Sequence, residues 1–286
     1  MICFPNAKIN LGLRVLRKRA DGYHDIETVF FPIPLCDILE LVHLEEGSVK
    51  GQYLELKNSR RLYYSYSGNS VVENPANDLS VRAIMAFDNE FGVSHDLFLH
   101  LHKNIPAGAG LGGGSSDAAY ALMMINALEG NKIDESTLAN LAASLGSDCP
   151  FFIFNQPCFA SGRGEVLEPI DISLSGLHLV LVKPTFGVST AEAYSGVIPS
   201  HNPASSSLID VVKSPIDSWN GALVNEFEKG VFAAHPQLQH IKNTLNESGA
   251  LYASMSGSGS TMFGLFKDEP EFGRAFNGFF VFKTVL

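Results

Sequence analysis

Residues 107–119 read AGAGLGGGSSDAA, and they restrict the possible folds of this chain more than any other stretch. Five glycines fall between positions 108 and 114. Lacking Cβ atoms, such a segment can take left-handed backbone conformations and let another group approach closely. The apolar run YALMMINAL follows at 120–128, so a glycine-rich loop here opens a buried helix. Two physical roles fit that arrangement. The loop can be a tight packing turn in which Ser115 or Ser116 merely caps the helix. Alternatively its free N–H groups, aided by the helix dipole, can hold an anion such as phosphate.

The rest of the sequence removes several owners of such a loop. A Walker A loop needs a lysine, followed by Ser or Thr, to reach the β and γ phosphates, and no lysine follows these glycines. The spelling GxGxxG occurs at Gly108, Gly110 and Gly113, but a dinucleotide fold needs a second strand ending in an acid about twenty residues on. That position begins a second helical stretch, DESTLANLAASL at 134–145. Protein kinases need VAIK, HRD and DFG elements, and none of these strings occurs. The net charge of −10 argues against nucleic acid or an anionic membrane surface as partner, so any phosphate site must be local. No run approaches the roughly 18 apolar residues of a membrane span, and MICFPNAKIN does not read as a signal peptide. A cytoplasmic location is therefore expected. Cys3, Cys36, Cys149 and Cys158 have no CxxC spacing and are read as reduced, mostly buried thiols.

A length of 286 residues, 45% hydrophobic and 17% charged, suits two packed domains, and the pattern is mixed α and β. Ile9, Leu11, Leu13 and Val15 alternate with Lys8, Asn10, Gly12 and Arg14, the period-two signature of a strand with one buried face. Lys8 and Asn10 are then expected on one side, opposite the core. The turn signal ADG at 20–22 and the β-rich stretch 26–33 complete a hairpin. LFLHLHK at 97–103 predicts a strand entering the glycine loop, and Ala118–Leu128 the helix after it. LHLVLVKP at 177–184 is a further strand, SHNPASSS at 200–207 a surface loop, and 256–260 a Ser/Gly turn between apolar segments. A domain boundary is placed near 155–160. His95, His100 and His102 lack an HExxH or a matching cysteine set, so solvent-facing histidines on a strand are expected and no metal site.

In GSDCPFFIF at 146–154, Asp148 lies between a helix end and Phe151, Phe152 and Phe154. A carboxylate so near apolar surface must be paired, hydrogen-bonded or functional. An Asp satisfying turn N–H groups ahead of Pro150 remains the plain alternative. Its natural charge partner is a strand lysine facing the same space, such as Lys8.

Together PNAKINLGL (5–13), PAGAGLGGGSSDAA (106–119), GSDCPFF (146–152) and SGSGSTMFGLF (256–266) resemble the successive motifs of the GHMP small-molecule kinases. RADGYHDIET at 19–28 narrows the resemblance to their branch acting on cytidine diphosphate methylerythritol. The resemblance implies an α+β two-domain GHMP kinase fold: a ribosomal protein S5 domain 2-like N-terminal domain over 1–157 and a ferredoxin-like C-terminal domain over 158–286. It implies ATP and Mg2+ as cofactors. The ATP loop would comprise Pro106, Ala107, Gly108, Ala109, Gly110, Leu111, Gly112, Gly113, Gly114, Ser115 and Ser116, with Ser115 or Ser116 near the triphosphate or its Mg2+. Asp148 would be general base at the acceptor hydroxyl, accompanied by Lys8, with Asn10 beside them. Tyr23 would stack on cytosine and His24 bond its edge. Tyr194 would be the second aromatic, with Thr190 nearby and Phe186 as the alternative. The expected partner is a small-molecule substrate, on a monomer or weak homodimer. A kinase for another small alcohol, and a non-catalytic nucleotide-binding protein of the same fold, are the competing readings.

Overall fold

Leu97, Leu99 and Leu101 are fully buried, and Phe98, His100 and His102 alternate with them on the opposite face of the strand Asp96–Lys103. This is the pleat that the sequence pattern demands. The computed structural model describes residues 1–45, 50–69, 74–197, 199 and 207–286. Within it the chain forms two compact units whose segments interleave along the sequence. The first comprises Met1–Ala7, Leu35–Ala107 and Gly112–Asn155, and the second Lys8–Pro34, Gly108–Leu111 and Gln156–Leu286.

The first unit is built on a five-stranded sheet in the order Ile2–Cys3, Ile38–Leu44, Asp96–Lys103, Arg61–Gly68, Tyr53–Glu55. Arg61–Gly68 runs parallel to Asp96–Lys103, and the helix Leu79–Phe91 lies between them in sequence, the crossover that a parallel pair requires. That helix starts where the Asp78 side chain accepts from the N–H groups of Ser80 and Val81, satisfying two otherwise orphaned donors. The helices Gly113–Leu128, Glu135–Leu145 and Cys149–Phe154 complete the unit. Asp134 caps the second of these through Thr137 N–H. The helix after the glycine loop begins at Gly113, five residues before the expected Ala118. Each glycine in a helix costs roughly 1 kcal/mol against alanine, but burial of Ala118, Ala119, Ala121, Leu122 and Ile125 overrides that local preference.

The second unit contains two four-stranded sheets. One has the order Tyr252–Met255, Met262–Phe266, His178–Lys183, Phe280–Val285, with every neighbouring pair antiparallel. Its core joins Val180, Val182, Met255 and Met262 to Leu238, Ile241 and Leu245 of the helix Pro236–Glu247. The other sheet has the order Asn6–Lys18, His24–Cys36, Cys158–Ser161, Val166–Pro169.

Three expectations need correction or completion. Lys8 and Asn10 do share one side of their strand, but that side is not open: they are only 3% and 2% exposed. The Phe30 ring and the segment 108–111 cover them, so the strand is buried on both faces there. His100 and His102 are half-buried and not solvent-facing. His100 shares hydrogen bonds with Ser65 (2.6 Å) and Ser67 (3.0 Å), and His102 with Ser67 (2.8 Å), all on the neighbouring strand. All four cysteines are free thiols, with Cys149 and Cys158 buried and Cys3 and Cys36 partly so. The loop expected at 200–207 lies, apart from Ser207, outside the described residues. No helix among the described residues is long and apolar enough to cross a membrane.

Candidate active site

In the second unit, strand alternation sets Lys8 and Asn10 side by side. The Lys8 ammonium donates to Asn10 Oδ1 at 2.6 Å and to the Gly110 carbonyl at 3.2 Å, and lies 5.0 Å from the centre of the Phe30 ring. Asn10 is itself fixed: its Nδ2 donates to Thr28 Oγ1 at 2.9 Å, and Thr28 donates to the Gly12 carbonyl at 2.6 Å. Gly110, at φ +73°, meets the Ser/Gly turn of 256–260, where Ser256 Oγ donates to its carbonyl at 2.9 Å. A Cβ at Gly110 would sit 2.0 Å from the Ser256 carbonyl oxygen, so only glycine fits. That turn is in turn held by Asn225, whose Nδ2 donates to the carbonyls of Met255 and Gly257. Sequence reading did not single out Asn225. An asparagine between Val224 and Glu226 carries no signal that it braces a turn some thirty residues away.

The hairpin RADGYH belongs to the same unit. His24 lies face to face with Tyr194, with ring centres 4.5 Å apart and planes at 15°. Tyr194 also packs edge-on against Phe227. Tyr23 is 54% exposed, and the Arg163 guanidinium stands 5.0 Å over its ring. Arg163 is held by Glu165, which accepts from both its N–H and its Nε. Burial, and then the Lys18 charge, hold His24 below the usual imidazole range, so the ring is neutral at pH 7. Thr190 is exposed and opens the short helix Thr190–Ser195, which carries Tyr194. Phe186, the alternative second aromatic, stacks on His235 at 5.0 Å instead. Tyr194 is thus the aromatic that this unit brings to the Tyr-His hairpin.

In the first unit, Gly112 enters the helix in the left-handed conformation, and no side chain caps that helix. Its first-turn N–H groups are therefore unclaimed by a side-chain cap, and the helix dipole adds partial positive charge there. Ser116 is fully buried, and its hydroxyl has no hydrogen-bond partner among the described residues. Ser115 bonds the Cys149 thiol, which burial pushes up to about 11. The first turn of the helix is thereby tied to the residue that follows Asp148. Asp148 itself is half-buried at the start of the helix Cys149–Phe154 and makes no capping bond to it.

One buried charged cluster has no counterpart in the sequence reading. Lys103 donates to Asp37 and, at 2.6 Å, to Asp117 Oδ2. Burial pushes the Asp117 carboxyl up to about 8 against the pull of Lys103. The only trace of this in the sequence is two acids and a lysine in apolar stretches, separated by 66 and 14 positions. His43, His95 and Glu129 also bring ligand atoms within 4.8 Å of one another. There the Glu129 carboxylate already accepts from Ser94 N–H, Ser94 Oγ and Lys132.

Two family models match the chain: GHMP kinases N terminal domain over residues 78–162, and GHMP kinases C terminal over 214–280. A protein of Parabacteroides distasonis named 4-diphosphocytidyl-2-C-methyl-D-erythritol kinase is 46% identical over 272 residues, covering 95% of this chain and 94% of its own. The chain belongs to the 4-diphosphocytidyl-2-C-methyl-D-erythritol kinase family. A family member from Bacteroides fragilis is 44% identical over the full length of both chains. A crystal structure of 4-(cytidine 5'-diphospho)-2C-methyl-D-erythritol kinase superposes with a TM-score of 0.74 at 30% identity, covering 93% of this chain and 90% of that one. A mevalonate kinase reaches a TM-score of 0.71 at 14% identity, which shows the shared fold alone. The two-domain α+β GHMP kinase fold expected from the motifs is the one this chain adopts.

Proposed function

We propose that this chain transfers the γ-phosphoryl group of ATP to the 2-hydroxyl of 4-diphosphocytidyl-2-C-methyl-D-erythritol, giving the 2-phosphate and ADP in non-mevalonate isoprenoid biosynthesis. The observation that carries this reading is the aromatic set of the second unit. His24 lies flat on Tyr194 beside an exposed Tyr23, a set suited to a nucleobase. A kinase for galactose, homoserine or mevalonate has no use for it.

Phosphoryl transfer asks a protein for positioning and charge stabilisation more than for covalent chemistry. In this reading the loop from Gly108 to Ser116 takes the triphosphate through those of its N–H groups that the helix leaves free. Mg2+ prefers hard oxygen ligands, and the buried, unpartnered Ser116 hydroxyl, with Ser115 beside it, fits that demand. When bound, Mg2+ neutralises charge on the phosphates. Asp148 accepts the proton of the 2-hydroxyl as its oxygen bonds to the γ-phosphorus. The bond from that phosphorus to the β–γ bridging oxygen breaks, and its electron pair leaves with ADP. Lys8, whose ammonium donates to Asn10 Oδ1 and the Gly110 carbonyl, supplies a fixed positive charge that needs little reorganisation. Tyr23 and Tyr194 take the cytosine faces and His24 its edge, so His24 must leave the Tyr194 ring when the base enters.

The test is ADP release across a panel of alcohols. The cytidine diphosphate substrate should give turnover well above galactose, homoserine and mevalonate. Turnover on one of those three, and none on the cytidine compound, overturns the assignment.

A further inference from the structure

We propose that Asp37, Lys103 and Asp117 form a positioning clamp for the nucleotide loop, locking the strand that enters the loop to the helix that leaves it. The inference rests on the ATP-loop reading above. Lys103 is the last residue of the strand Asp96–Lys103, and Asp117 is the fifth residue of the helix Gly113–Leu128. Asp37 links the strands His24–Cys36 and Ile38–Leu44. One ammonium donates to both carboxylates, so it bridges the two stems of the loop. The other Asp37 oxygen accepts from the N–H groups of Asn104 at 2.6 Å and Ile105 at 2.8 Å, and Asn104 Nδ2 donates to the Cys36 carbonyl at 3.1 Å. Three successive residues are thereby pinned immediately before Pro106. On the far stem, the missing Cβ of Gly113 lets the chains close: a Cβ there would lie 2.8 Å from Ile105 Cγ2 and 3.5 Å from Lys103 Nζ.

Stability alone is a poor explanation of this cluster. Asp37, Lys103 and Asp117 are 0%, 7% and 2% exposed, and the desolvation cost of buried ion triads often matches or exceeds their attraction, so that apolar replacements can be as stable. What an apolar set cannot supply is directional bonding that fixes the register of 103–105 against the helix start. That register decides where the first-turn N–H groups stand relative to the incoming chain.

The test compares Lys103→Met, Asp117→Leu and Asp117→Asn in the full-length enzyme. ADP affinity is read by calorimetry, the KM values for ATP and the cytidine substrate by ADP release, and stability by thermal melting. Asparagine keeps an oxygen acceptor for Lys103, whereas leucine removes it and leaves the Lys103–Asp37 pair intact. Losing a hydrogen bond to a charged group corresponds to a loss of about tenfold or more. Lys103→Met and Asp117→Leu should weaken ADP binding and raise the KM for ATP by that factor, while the KM for the cytidine substrate changes less than about twofold. Asp117→Asn should stay within about threefold of the parent for ADP. If Lys103→Met does not fold, the Asp117 pair decides. The clamp is refuted if Asp117→Leu binds ADP like the parent, or if both KM values rise together in step with lost melting temperature. A parent enzyme that binds ADP but does not turn over the cytidine substrate removes the functional reading and leaves the clamp to be judged on ADP affinity alone.

Discussion

Asp148 stands half-buried next to Cys149, whose thiol bonds Ser115, so the proposed base is tied to the first turn of the proposed phosphate helix. A positioned carboxylate typically contributes roughly 100- to 10,000-fold to a proton-coupled step. Asp148→Asn should therefore lower kcat by at least about 100-fold and leave ADP affinity by calorimetry close to the parent. A fully active variant removes Asp148 from the mechanism. Tyr23→Ala should raise the KM for the cytidine substrate by about tenfold, the scale of one base–aromatic stack, with the KM for ATP nearly unchanged. Equal effects on both sink the pocket assignment. His24 adds a pH signature. Its folded pKa is lowered, so below the unfolded value of about 6.5 the unfolded chain binds more protons and acid erodes stability. Substrate affinity should accordingly hold through the ordinary histidine range and fall only below it. In His24→Gln the KM should be raised and independent of pH across that window.

At the scale of elements, the strand Asn6–Lys18, the loop and the turn 256–260 act through backbone contact. Gly110 combines a φ of +73° with a carbonyl 2.0 Å from where a Cβ would stand. An L-residue there must move the Ser256 turn or leave its own conformation. Gly110→Ala should abolish measurable ADP binding in titration calorimetry while circular dichroism still reports a folded chain. Parent-like affinity would show that the loop adapts freely. The sequence announced the glycine cluster and the helix behind it, because glycine content and apolar runs are local signals. It did not announce that the helix would start at Gly113, because the burial that overrides glycine's propensity comes from packing across the unit.

For the whole molecule, the hydrophobic pattern is the main stabiliser of each unit. Leu245 is fully buried in the core of the second unit, so Leu245→Ala should cost about 2–5 kcal/mol. Trp219, the single tryptophan, is buried in the same unit. Its fluorescence in urea should report an earlier midpoint with an unchanged slope, and an unmoved midpoint would contradict the packing described. The net charge of −10 bears on the site as well, since anionic substrates must be held by local donors against the field of the whole protein.

The sequence by itself determined the order of motifs, the strand and helix types, and, through PNAKINLGL, the glycine loop, GSDCPFF and RADGYH, the family that the chain resembles. Those are properties of short windows, in which residue type and period suffice. Tertiary structure alone decided three other matters. Lys8 and Asn10 are buried on what reads as an open face, Tyr194 rather than Phe186 lies against the His24 ring, with Phe186 taken up by His235, and Asp37 finds Lys103 across 66 positions. Each depends on which distant segment covers a side chain. Covering is what sets solvation, charge state and geometry, and no local period encodes it.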